Sequence, residues 1–129
     1  MDVYDRLGEE MEIIEYNKLV RDKIPEIIEA DGKTAITMSI DGLKLKQALV
    51  KKLTEEGEEY LEGLETEEIA DLLEILHGLM EVQGVSYEEV ERIRLSKKEE
   101  RGGFSESIEG ISLLSQNLHY LRRNLILID

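Results

Sequence analysis

Between Asp41 and Leu64, apolar residues return to one side of a helical projection. At about 100° per residue, Leu45, Ala48, Leu49, Leu53, Tyr60 and Leu64 share one arc. This pattern predicts a helix from Asp41 to about Leu64. A second apolar arc gathers Ile69, Leu72, Leu73, Ile75, Leu76, Leu79, Met80 and Val82, predicting a helix capped by Thr66 and running from Glu67 to about Val82. So few residues separate the two that they are expected to form an antiparallel hairpin. Ser86 with Glu89 three residues later has the form of a capping box, opening a third helix that Gly102 and Gly103 stop near Arg101.

Shorter elements surround this hairpin. Lys23–Asp31 reads as a short helix, with Asp22 as N-cap, Pro25 in the first turn and Gly32 as its stop. The β-branched run KTAITMSI predicts one short strand or extended segment near 33–40. Residues 1–15 are acidic and weakly patterned, and form an N-terminal extension. In residues 105–129, Ile111, Leu114, Leu118, Leu121, Leu125 and Ile128 alternate three- and four-residue steps, an amphipathic helical stripe that either packs within the monomer or meets another subunit. The expected class is all-α, a helical bundle built on the hairpin.

Composition narrows what such a bundle does. The chain has 129 residues, enough for one domain, and 41% apolar residues without Trp, so its core is aliphatic. A domain of this size buries a limited share of its surface, which makes a homo-oligomer a reasonable expectation. Thirty acidic residues against 16 basic ones argue against binding a nucleic-acid polymer. The absence of Cys excludes disulfides, thiolate metal sites and cysteine nucleophiles. No apolar run is long enough for a membrane span, and the first residues lack signal-peptide order, so the expected location is cytoplasmic.

Most helical carboxylates face solvent, so the informative ones lie inside an apolar arc. Glu56 projects between Leu45 and Leu49, and Glu59 falls beside it, while Glu55 marks the arc's edge. On the next helix Glu68 falls between Ile75 and Leu79, with Asp71 at the edge; Glu58, Glu62, Glu74, His77 and Glu81 point to polar sides. An antiparallel hairpin brings Glu56, Glu59, Glu68 and Asp71 together near its shared end. Four such groups in a low-dielectric seam either raise their pKa values or are neutralised by cations. Oxygen ligands without Cys or His favour Mg²⁺ or Mn²⁺. Blander readings exist: acids in a first turn, such as Glu67 and Glu68, are favoured by the helix dipole alone, and Glu55 has Lys51 and Lys52 as pairing partners.

These residues read as EEGEE (Glu55–Glu59) followed by EIAD (Glu68–Asp71), and the flanks are YNKLVRDKIPEII (Tyr16–Ile28) and ERGGF (Glu100–Phe104). The combination resembles the all-α NTP pyrophosphohydrolase superfamily, in particular its MazG-like, phosphoribosyl-ATP pyrophosphohydrolase-like branch, over residues 16–104. The resemblance implies a helical bundle, dimeric or higher, in which Glu56, Glu59, Glu68 and Asp71 hold Mg²⁺. It also implies hydrolysis of a nucleoside triphosphate between the α- and β-phosphates, giving monophosphate and pyrophosphate; many such enzymes remove non-standard nucleotides. Eight residues separate Glu59 from Glu68, a short spacing for the superfamily.

In that chemistry Glu55 is a candidate to orient or deprotonate the attacking water, beside Glu56. Lys18, Arg21 and Lys23, and separately Lys97, Lys98 and Arg101, form basic clusters whose functional reading is phosphate contact. For the second cluster, complementing a helix C-terminal dipole is the alternative. Asn17 is assigned to base or ribose, or equally to a turn. His77 is expected at the surface, and His119 carries no signal. The alternative functions are a phosphoribosyl-ATP pyrophosphohydrolase of histidine biosynthesis and a non-catalytic helical module that oligomerises or binds nucleotides.

Overall fold

The computed structural model describes residues 3, 4, 7–110 and 112. It is all-helical apart from a two-stranded ribbon. Strands β1 (Val3–Tyr4) and β2 (Glu10–Met11) pair antiparallel, with Val3 opposite Met11 and Tyr4 opposite Glu10. Four helices follow: α1 (Ile24–Ala30), α2 (Gly42–Gly63), α3 (Thr66–Gln83) and α4 (Tyr87–Arg101). The chain divides into two compact units, Met1–Val90 and Glu91–Asp129. Apart from Ser112, the predicted tail stripe from Ile111 onward lies outside the described residues.

The predicted hairpin forms in the first unit, where α2 packs against α3. Asp41 takes extended backbone ahead of α2 but makes no side-chain capping bond. The helix ends at Leu64, whose left-handed backbone (φ 55°) lets its N–H donate to the Tyr60 carbonyl at 2.6 Å. That conformation is uncommon for a branched side chain. It turns Leu64 outward, so the last member of the predicted apolar arc is exposed.

Leu49 and Ile75 are the buried apolar side chains among the described residues, at 8% and 6% exposure. Leu49 packs where α3 is thinnest: a Cβ on Gly78 would stand 3.2 Å from Leu49 Cδ2, so the missing side chain is what lets α2 come close. Leu43, Val50 and Leu61, about 100–120° around α2 from Leu49, and Ile69, Leu73 and Leu76, about 100–160° around α3 from Ile75, stay open to solvent. Both rows rotate in the same sense from the contact. Because the helices run antiparallel, the rows fall on one face of the hairpin.

Several helix starts differ from expectation. Lys23, not Asp22, occupies the N-cap of α1 and makes no side-chain bond to the first turn; Glu65, not Thr66, caps α3, again by backbone alone. Pro25 sits in the first turn of α1 as expected. Ser86 does cap α4, its hydroxyl accepting the Glu89 N–H at 3.1 Å. Gly102, at φ 86°, closes α4 by donating its N–H to the Lys98 carbonyl at 2.8 Å. Residues 33–40 do not pair as a strand. A lone strand needs an edge to satisfy its backbone, and the ribbon here lies in the N-terminal extension instead. Among the described residues, no helix is long and apolar enough to cross a membrane.

Candidate functional site

The seam between α2 and α3 carries the carboxylates that the helical projection placed inward. Glu55, Glu56, Glu68 and Asp71 are half-buried. Glu59 is exposed; it lies about 80° around α2 from Leu49, at the edge of the packed face. Glu56 Oε2, from α2, and Glu68 Oε2, from α3, are both buried and both lack a hydrogen-bond partner. An orphaned polar atom costs about 1–3 kcal/mol, more for a charged group, so this pair is the least comfortable feature of the hairpin.

Burial raises the Glu56 carboxyl above its ordinary range. The charge of Glu59, a hydrogen bond between the two side chains and the charge of Asp71 push the same way, and Lys52 opposes them. Glu56, Glu59 and Asp71 therefore share one electrostatic site across the two helices.

The stretch from Asn17 to Lys23 lays cations on this seam. Asn17 adopts a left-handed backbone (φ 48°), a conformation Asn tolerates better than most residues. Beyond it, Lys18 Nζ lies 3.8 Å from Glu55 Oε2 and Arg21 Nη2 donates to Asp71 Oδ1 at 2.6 Å. Glu55 thus has Lys18 as its salt-bridge partner, where helical spacing offered Lys51 or Lys52. Lys23 stays exposed at the start of α1.

A small cleft of about 50 Å³ opens between residues 17–19 and α2. Leu19 and Ala48 contribute apolar walls, and Asn17, Lys18, Lys51, Lys52 and Glu55 contribute polar ones. Sequence reasoning read Lys51 and Lys52 as pairing partners of Glu55 and not as site residues. Their only sequence signal is their position one turn before Glu55 and Glu56.

All-oxygen donors with two orphaned carboxylate oxygens suit a hard divalent cation. As the side chains stand, no group of three or more Asp, Glu or His among the described residues is close enough to hold an ion. The electrostatics account for that spread: Arg21 already neutralises Asp71, and carboxylates without a cation between them repel.

Lys97, Lys98 and Arg101 belong to the second unit, on the last turns of α4, where a helix terminus favours cations whether or not a ligand is present. His77 departs from expectation: it is half-buried and stacked on Tyr87, with ring centroids 5.5 Å apart and planes 13° from parallel.

No family model, curated protein or solved structure matches this chain.

Proposed function

We propose that the chain is a Mg²⁺-dependent nucleoside triphosphate pyrophosphohydrolase, releasing a nucleoside monophosphate and pyrophosphate. The observation that carries this reading is that each helix of the hairpin buries one unpartnered carboxylate oxygen, Glu56 Oε2 on α2 and Glu68 Oε2 on α3. The motif resemblance over residues 16–104 supplies the reaction class.

In this reading Glu56, Glu59, Glu68 and Asp71 hold Mg²⁺, or Mn²⁺ in its place. The bound cation supplies charge neutralisation on the phosphates and a lowered pKa for water. The other roles fall to the chain's own groups. Glu55 accepts the proton of a water attacking in line at the α-phosphorus. Lys18 and Arg21, which reach the seam from the 17–23 stretch, exchange their carboxylate partners for phosphate oxygens when substrate arrives. Asn17, which lines the cleft, contacts the nucleotide.

A second copy of the chain covers the open face formed by Leu43, Val50, Leu61, Ile69, Leu73 and Leu76, making the working unit a homo-oligomer. Light scattering behind a sizing column tests this: a monomer at working concentration contradicts it.

The activity is tested by incubating the protein with Mg²⁺ and a panel of standard and damaged triphosphates, then separating products by ion exchange. The proposal requires monophosphate plus pyrophosphate, abolished in Glu56→Gln. Diphosphate plus phosphate, or turnover that survives in Glu56→Gln, contradicts it.

A further inference from the structure

The cleft beside the carboxylates has a chemistry of its own. Three lysines, Lys18, Lys51 and Lys52, line it beside one acidic residue, Glu55, in a chain whose formal charge is −14. Lys51 and Lys52 stand four residues before Glu55 and Glu56, the spacing at which helical ion pairs form. Among the described residues, however, neither lysine makes a salt bridge, and Lys18 holds Glu55 only at 3.8 Å. The left-handed turn at Asn17 adds a side-chain amide to the cleft. Lys18 is thus engaged with Glu55 and Lys52 with the Glu56 charge, which leaves Lys51 as the lining cation without an ion pair among the described residues.

Size limits the occupant. Sites for whole small molecules run about 300–1,000 Å³, whereas this cleft measures about 50 Å³. It admits a single tetrahedral anion and excludes a base or a sugar. Position limits it further, because Glu55 lines the cleft and is the chain neighbour of Glu56. An anion seated on the lysines therefore lies beside the proposed cation ligands.

We propose that this cleft is a phosphate subsite, built from Lys51, Lys52, Lys18 and Asn17, which holds the terminal phosphate of the substrate and then one phosphate of the released pyrophosphate. The inference rests on the pyrophosphohydrolase reading for the identity of the anion, and on the cleft itself for its location. It assigns Lys51 and Lys52 to substrate contact. It also orients the triphosphate: terminal phosphates toward the start of α2, α-phosphate toward Glu56.

The test is calorimetric titration of inorganic pyrophosphate into the full chain in the presence of Mg²⁺. The wild type is compared with a Lys51→Gln/Lys52→Gln protein and with a Lys44→Gln/Lys46→Gln protein, which loses equal charge from the same helix outside the cleft. Mn²⁺ binding is measured in parallel on these proteins and on Glu56→Gln. The subsite predicts pyrophosphate binding weakened about tenfold or more in the cleft variant and changed less than about twofold in the control, with Mn²⁺ binding not weakened in either. Equal pyrophosphate binding in all three proteins, or equal loss in both double variants, overturns the subsite. In that case, Mn²⁺ binding that is lost in Glu56→Gln leaves the metal reading standing. Conversely, a pyrophosphate loss confined to the cleft variant, with Mn²⁺ binding indifferent to Glu56, keeps the subsite and overturns the metal reading.

Discussion

The Arg21 guanidinium donates to the Asp71 carboxylate at 2.6 Å, joining the N-terminal basic stretch to α3 across fifty residues of sequence. Both side chains are about half exposed, at 56% and 42%, so the pair itself stabilises the fold by no more than about 1 kcal/mol. Its greater consequence is that a protein cation occupies a carboxylate proposed to hold metal. Arg21→Gln is expected to tighten Mn²⁺ binding to the nucleotide-free protein about two- to fivefold while weakening nucleotide binding. Electron paramagnetic resonance of free Mn²⁺ measures the first, and unchanged or weaker Mn²⁺ binding contradicts the competition.

Metal-free stability follows the ionisation of Glu56. Its folded pKa lies above its ordinary value, so the neutral form is favoured by folding. The stabilising contribution is full below the unfolded pKa and is lost as pH rises through the folded one. In EDTA at neutral pH, Glu56→Gln should melt above the wild type. The difference should shrink on acidification as the wild-type carboxyl becomes neutral, and Mg²⁺ should reverse the order at neutral pH. Thermal melts from pH 4 to 8 check this; a variant that melts lower throughout refutes it.

Gly78 sets the closeness of the hairpin. An added Cβ meets Leu49 Cδ2 at 3.2 Å, a tight contact that a small shift of a leucine methyl relieves. Alanine also gains about 1 kcal/mol of helix propensity over glycine. Gly78→Ala is therefore expected to be near neutral, whereas Gly78→Val forces the helices apart and should cost about 1–3 kcal/mol. Leu49→Ala, which empties the same contact, should cost about 2–3 kcal/mol, the low end of the range for core truncations. Urea unfolding of the three variants measures the ranking.

The Ser86 hydroxyl that accepts the Glu89 N–H is an ordinary N-cap. Ser86→Ala should destabilise the start of α4 by about 1 kcal/mol, read as faster amide exchange at residues 87–90 with the hairpin amides unaffected. Equal acceleration in the hairpin would show that the start of α4 opens together with α2 and α3.

How much of this was legible in sequence depended on how local each feature is. The hairpin was readable because the 3.6-residue period governs both α2 and α3, and Glu56 and Glu68 stood out because each interrupts an apolar arc. The Ser86 cap was readable because its partner lies three residues away. Lys23 and Glu65 were not, since they cap through backbone alone and leave no residue-type signature. The cleft was hidden for a different reason: Lys51 and Lys52 become neighbours of Asn17 and Lys18 only when the 17–19 stretch crosses α2, a tertiary event with no periodic trace. The exposure of Leu64 likewise follows from the left-handed backbone that ends α2, which the apolar period does not encode.

The central claim is that the orphaned oxygens of Glu56 and Glu68 hold a divalent cation between α2 and α3. Titration of Mn²⁺ into the wild type, Glu56→Gln and Glu68→Gln, followed by the loss of the free-ion resonance signal, tests it most directly. The account predicts saturable binding in the wild type, competed by Mg²⁺ and weakened at least about tenfold by either substitution. Binding that is absent from the wild type, or that survives intact in both variants, would contradict it.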